Sequence, residues 1–82
     1  MPVPMELKDL RTRFRKTLAD CARVLGCSIE SYRNREIGRI RASGGELALL
    51  ADFYEMPLTA AFPSYRLTPE EVALVRHLTR AA

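Results

Sequence analysis

The chain has 82 residues, 48 % of them hydrophobic and 28 % charged, with 13 Lys and Arg against 10 Asp and Glu. A chain of this length suits one domain and buries only about 60 % of its unfolded surface, which excludes two packed domains and a large buried active-site cavity. The longest unbroken apolar run, Leu47 to Ala51, is far short of the roughly 20 residues a membrane span needs.

The net charge of +3 hides an asymmetry. Residues 1–41 hold ten basic and five acidic side chains, whereas residues 42–82 hold three and five, so the halves stand at +5 and −2. Such clustering points to a polyanionic partner for the first half, the plainer reading being a solvated helical face. Met1 to Glu6 show neither a basic leader nor an apolar stretch, so no signal peptide is expected and the cytoplasm is the expected compartment. Cys21 and Cys27 are too few for a disulfide scaffold, their spacing fits no zinc pattern, and His77 is the only histidine. Both read as reduced, buried small hydrophobes, with no metal and no cofactor expected.

The spacing predicts a first helix over Met5 to Arg15, with Leu7, Leu10 and Phe14 on one face. Thr17 is the expected N-cap of a second helix that runs to Leu25 and turns Leu18, Cys21, Ala22 and Leu25 inward. Gly26 suits the left-handed residue that closes it. Ser28 then caps a third helix that ends before Gly38, and the basic stretch from Gly38 to Gly45 reads as a surface loop. A fourth helix is expected from Glu46 to Tyr54, with Leu47, Leu50, Ala51 and Tyr54 on one face. Pro57 opens a short fifth helix or turn that Pro63 closes. Last, Thr68-Pro69-Glu70-Glu71 combines an N-cap threonine, a proline at the first helical position and a capping-box glutamate. A helix from Thr68 to Arg80 follows, with Val72, Val75 and Leu78 as its apolar stripe.

Two short helices joined across Gly26 must pack closely at their crossing. Ala22, four residues before that glycine, leaves the room, while Cys27 and Tyr32 supply apolar contacts after it. This is the physical logic of a helix-turn-helix. Over about residues 6–63 the chain resembles the phage-repressor and Cro family, the XRE-like helix-turn-helix domains. Leu7, Leu10 and Arg11 look like that family's first helix, Glu36-Ile37-Gly38 like the close of its recognition helix, and Leu47 to Leu58 like its passage from helix four to helix five. The chain departs from the pattern at Arg15-Lys16 and at Glu55, where the family carries glycine, and at Arg35, where an apolar or aromatic residue is usual.

The resemblance implies an all-α protein: a compact five-helix, lambda-repressor-like DNA-binding domain over residues 5–63, then a C-terminal helix in residues 64–82. It also implies a framework of Arg11 paired with Glu36, together with Ala22, Gly26, Tyr32 and Gly38. With Tyr32 and Glu36 facing inward, Ile29, Glu30, Arg33 and Asn34 fall outward at the family's base-reading positions. Asn34 suits adenine, Arg33 guanine or a phosphate, Glu30 the cytosine amino group and Ile29 a thymine methyl, though Ile29 and Glu30 also read as ordinary solvent-facing residues. Phosphate contacts are expected from Thr17 and Leu18 at the start of the second helix and from Arg39 and Arg41, with Arg13, Arg15 and Lys16 in support.

The implied function is a sequence-specific regulator of transcription, a repressor that binds a two-fold operator in double-stranded DNA as a homodimer. Val72, Val75 and Leu78 are the candidate dimer interface, the other reading being that they only cover the domain's own core. Enzymatic activity is not expected, because the chain lacks convergent catalytic groups and a glycine-rich phosphate loop. The rival readings are a helix-turn-helix module turned to protein binding, as in a co-regulator or antirepressor, and the antitoxin of a toxin–antitoxin pair.

Overall fold

Helix α1 spans Val3–Arg13, α2 Leu18–Leu25, α3 Ile29–Glu36, α4 Gly44–Phe53 and α5 Leu58–Ala61. The computed structural model describes residues 2–66 together with Pro69, Glu70 and Ala73, and no strand occurs among them. The architecture is all-α, as expected. The helix expected from Thr68 to Arg80, with Val72, Val75 and Leu78, lies outside the described residues except at Pro69, Glu70 and Ala73.

The first helix starts and stops two residues earlier than its expected span of Met5 to Arg15. Pro4 sits inside its first turn, where a missing N–H breaks no helical hydrogen bond. Leu7 and Leu10 are buried as expected, whereas Phe14 lies past the last helical residue and stays 40 % exposed. Its ring stacks on Tyr54 at a centroid distance of 5.0 Å.

Four helices end in one and the same motif. In each, an N–H bonds back five residues and the preceding N–H bonds back three: Lys16 to Arg11 and Arg15 to Thr12, Cys27 to Ala22 and Gly26 to Arg23, Arg39 to Asn34 and Gly38 to Arg35, Met56 to Ala51 and Glu55 to Asp52. This Schellman closure needs a left-handed residue. Gly26 (φ 68°) and Gly38 (φ 84°) provide it without strain, but Arg15 (φ 55°) and Glu55 (φ 56°) provide it with a side chain attached. Glycine avoids the Cβ clash, worth about 1–2 kcal/mol, but loses more backbone entropy on folding. Glu55→Gly is therefore expected to stabilise the protein by about 0.5–1 kcal/mol, a rise of a few degrees in Tm. A thermal melt that shows no rise would mean that the closure carries no strain at Glu55.

All five helices contribute to one core. Leu7 and Leu10 of α1, Cys21 and Ala22 of α2, Tyr32 of α3, Leu47, Leu50 and Ala51 of α4 and Ala61 of α5 are buried, and Tyr54 and Phe62 close it from the ends of α4 and α5. Cys21 is fully buried, with its Sγ 3.2 Å from the Tyr54 hydroxyl. Cys27, expected to be buried as well, is only half-buried because it sits in the turn that links α2 to α3.

The fourth helix also departs from expectation, beginning at Gly44 rather than Glu46. Ser43 is its cap: the Ser43 hydroxyl accepts from the Glu46 N–H at 3.1 Å and the Glu46 carboxylate accepts from the Ser43 N–H at 3.0 Å. These reciprocal bonds satisfy two end donors and hold two glycines in helix despite their poor propensity. The stretch expected to be a surface loop is accordingly shorter, and Ala42 within it is buried.

Glu6 is a buried carboxylate that sequence reasoning counted only as a charge. It is 5 % exposed, and its Oε1 accepts from the Ser64 backbone N–H at 3.1 Å. This bond ties the first turn of α1 to the segment that follows α5.

Candidate nucleic-acid interface

Two capped helices and one glycine turn build the centre of the site. Thr17 caps α2: its hydroxyl accepts from the Asp20 N–H at 3.0 Å, and its own N–H donates to the Asp20 carboxylate at 2.9 Å. The bond from the Thr17 N–H, helped by the neighbouring Thr17 hydroxyl, holds the Asp20 carboxyl below its ordinary pKa. The start of α2, expected to offer Thr17 and Leu18 to a phosphate, therefore already carries a carboxylate at its mouth. Ser28 caps α3 by accepting from the Ser31 N–H at 3.0 Å. Between them, Gly26 makes the left-handed turn, and α2 packs on both α3 and α4.

The inward face of α3 is Tyr32 and Glu36. Tyr32 is fully buried. Its hydroxyl lies beside Cys21 and Glu36 without a partner in hydrogen-bonding geometry. Burial, with the neighbouring Cys21 and Glu36, pushes its pKa well above the usual tyrosine range. Glu36 grips Arg11 through two bonds, Nε to Oε2 at 2.7 Å and Nη2 to Oε1 at 3.2 Å. Arg11 also donates from Nη1 to the Lys16 carbonyl at 3.3 Å, so one guanidinium joins the end of α3 to the α1–α2 turn. The hydrogen bond to Glu36 raises the Arg11 pKa further, and its charge is permanent.

Arg35, at a position where the resemblance implies an apolar residue, is one of the links in the scaffold. It donates from Nη2 and Nε to the two Glu46 carboxylate oxygens at 2.9 and 3.2 Å, and from Nη1 to the Ser31 carbonyl and hydroxyl at 2.8 and 2.7 Å. A bidentate ion pair thus takes the place of an apolar contact between α3 and the cap of α4. Arg35, followed by the Ser43 N–H, holds the Glu46 carboxyl below its ordinary pKa. A carboxyl depressed on folding stabilises the native state above its unfolded pKa, and that contribution fades as pH falls through the folded value. Urea midpoints are expected to drop between about pH 5 and pH 3, and Glu46→Gln to flatten that drop. An unchanged profile in Glu46→Gln would show that the pair adds nothing to acid sensitivity.

On the opposite side of α3, Ile29, Glu30 and Arg33 are exposed and Asn34 is half-buried. The Asn34 carbonyl accepts from the Arg39 and Ile40 N–H groups at 2.9 and 3.1 Å, which folds the following turn back against the helix end. Ile37 extends the row Ile29–Arg33 by another helical step and is 53 % exposed. Sequence reasoning missed it, although the i, i+4, i+8 spacing was present to find it.

The basic residues separate into two groups. Arg33, Arg39 and Arg41 are exposed and make no ion pair among the described residues. They cluster in sequence on α3 and the turn after it. Of the supporting residues, Arg13 and Lys16 are engaged elsewhere and Arg15 is not. Arg13 pairs with Asp9 one helical turn back and lines a cavity beside α5, on the flank of α1 away from Arg11. Lys16 Nζ lies 5.2 Å from the centre of the Phe53 ring. Arg15 is exposed at the strained close of α1. No group of His, Cys, Asp and Glu among the described residues could hold a metal ion, and no helix among them is long and apolar enough to cross a membrane.

No curated protein and no solved structure matches the chain. A family model described as a helix-turn-helix domain matches residues 5–62, which takes in all of α2, its glycine turn and α3. The chain belongs to the helix-turn-helix domain family.

Proposed function

We propose that this protein is a sequence-specific regulator of transcription, a repressor that lays α3 in the major groove of double-stranded DNA and binds a two-fold operator as a dimer. One observation carries the reading. The outward row of α3, Ile29, Glu30, Arg33 and Asn34, runs directly into two exposed arginines, Arg39 and Arg41, that no carboxylate neutralises among the described residues. Base edges are read by such short polar and apolar side chains, and phosphates by the free cations beside them. Thr17 and the Leu18 N–H remain the proposed backbone contacts, with Arg13, Arg15 and Lys16 secondary to Arg33, Arg39 and Arg41.

Selection of bound sequences from random duplex DNA tests this directly. The expected product is an inverted repeat whose half-sites lie about one helical turn apart, with affinity that falls steeply as salt rises. Recovery of no common sequence, together with salt-independent binding, would overturn the reading. The dimer contact is assigned to residues 64–82 through Val72, Val75 and Leu78. A chain ending after Arg66 is expected to be monomeric by light scattering, and a dimer that survives this truncation would place the contact elsewhere.

A second reading has its own support. Ile29, Ile37 and Ile40 are all exposed along α3 and the turn after it, and Asp20 puts a negative charge at the start of α2. Both features suit a protein partner, as in a co-regulator, an antirepressor or an antitoxin. Failure of the DNA selection would favour it.

A further inference from the structure

A cavity of about 270 Å³ opens between the start of α1, the turn after α3 and the segment that follows α5. Gly38 lines it at the left-handed close of α3, and a Cβ placed there would meet Pro4 Cγ at 3.7 Å, an ordinary contact distance. Aliphatic groups of Val3, Leu7 and Ile40 and the side chain of Tyr65 make the floor apolar.

The charges on the walls are of one sign. Arg35, Arg41 and Arg66 line the cavity, and none of its lining residues is acidic. Only Arg35 is neutralised, by Glu46, which is not part of the lining. Arg41 and Arg66 have no ion-pair partner among the described residues. The neighbouring cavity of about 340 Å³ is different in kind. Glu6 and Asp9 line it together with Arg13 and Arg66, and Asp9 pairs with Arg13, so its walls carry both signs of charge.

We propose that the cavity walled by Arg41, Arg66 and Gly38 is a binding site for a small organic anion, a carboxylate on a compact apolar body. The apolar floor takes the carbon skeleton, and the two guanidinium groups take the carboxylate through charge-assisted hydrogen bonds. A bare inorganic anion satisfies only the rim, and an apolar cation meets repulsion there. The site also bears on the interface. Arg41 is shared between the cavity and the turn assigned to phosphate contact, so a bound carboxylate competes with DNA for one guanidinium. This competition rests on the proposed function; the binding site itself does not.

Titration of the 82-residue protein with benzoate, followed by amide NMR shifts, tests the site. The expected result is a saturable shift confined to residues 3–7, 35–42 and 64–66, with little response to benzylamine or inorganic phosphate at the same concentration. Arg66→Gln, an exposed side chain outside the proposed DNA contacts, is expected to weaken benzoate about tenfold while the other amide signals stay in place. Shifts spread over the whole protein, an equal response to phosphate, or full benzoate binding by Arg66→Gln would each overturn the proposal. Competition is measured separately. At constant ionic strength, benzoate is expected to lower the affinity of the parent protein for its selected duplex and to leave that of Arg66→Gln unchanged. A protein that binds benzoate at these residues but selects no DNA would keep the site and lose the function proposed above.

Discussion

Glu36→Leu is expected to cost roughly 3 kcal/mol of folding stability, with the midpoint of a urea titration as the measurement. The side chains of Arg11 and Glu36 are only 17 % and 5 % exposed, so a single substitution leaves a charged guanidinium largely out of water with its bidentate partner gone. A domain of this size holds about 4–12 kcal/mol in total, so one side chain removes a quarter or more of it. Replacing both partners behaves differently. Arg11→Met with Glu36→Leu removes the buried charge together with its counter-charge and is expected to stay within about 1 kcal/mol of the parent. If the single variant loses under about 1 kcal/mol, the pair is solvated in solution and does not hold α3 to α1.

The second large effect concerns binding. Replacing both Arg39 and Arg41 with alanine is expected to weaken duplex binding on the order of a hundredfold, at about 1–2 kcal/mol for each charged contact. The loss should fall equally on the selected operator and on unrelated DNA, and the slope of affinity against salt should shrink by about two counterions. Asn34→Ala should do the opposite, relaxing one base position with the salt slope intact. A double variant that keeps its affinity and its slope would remove the turn after α3 from the interface.

The parts of the fold legible in the sequence are those governed by local chemistry. Thr17, Gly26 and Ser28 define α2, its turn and the start of α3 through caps and one left-handed residue, and each behaves in the structure as its type requires. The errors at helix ends have equally local causes. Pro4 is tolerated in a first turn, and the glycine pair after Ser43 hid a capping box whose serine and glutamate stood three residues apart. Long-range chemistry was harder to see. The resemblance supplied the pairing of Arg11 with Glu36, but nothing local in Arg35 pointed to Glu46, and nothing in Glu6 pointed to Ser64. A charged residue reads as solvent-facing until its partner across the fold is known. The candidate site was legible as a row on α3; the separation of Arg33, Arg39 and Arg41 from Arg13 and Lys16 was not, because it depends on which cations already have partners.

The bond from Ser64 to Glu6 changes how the chain can come apart. An extended chain of helices ordinarily frays from its two ends independently. Here the first turn and the last described turn grip each other across 58 residues of sequence through a buried carboxylate. Loosening of either one takes a partner from the other, so the first turn of α1 and the segment after α5 are expected to open together. Hydrogen exchange at Leu7 and Leu10 is then expected to quicken when Ser64 leaves its seat.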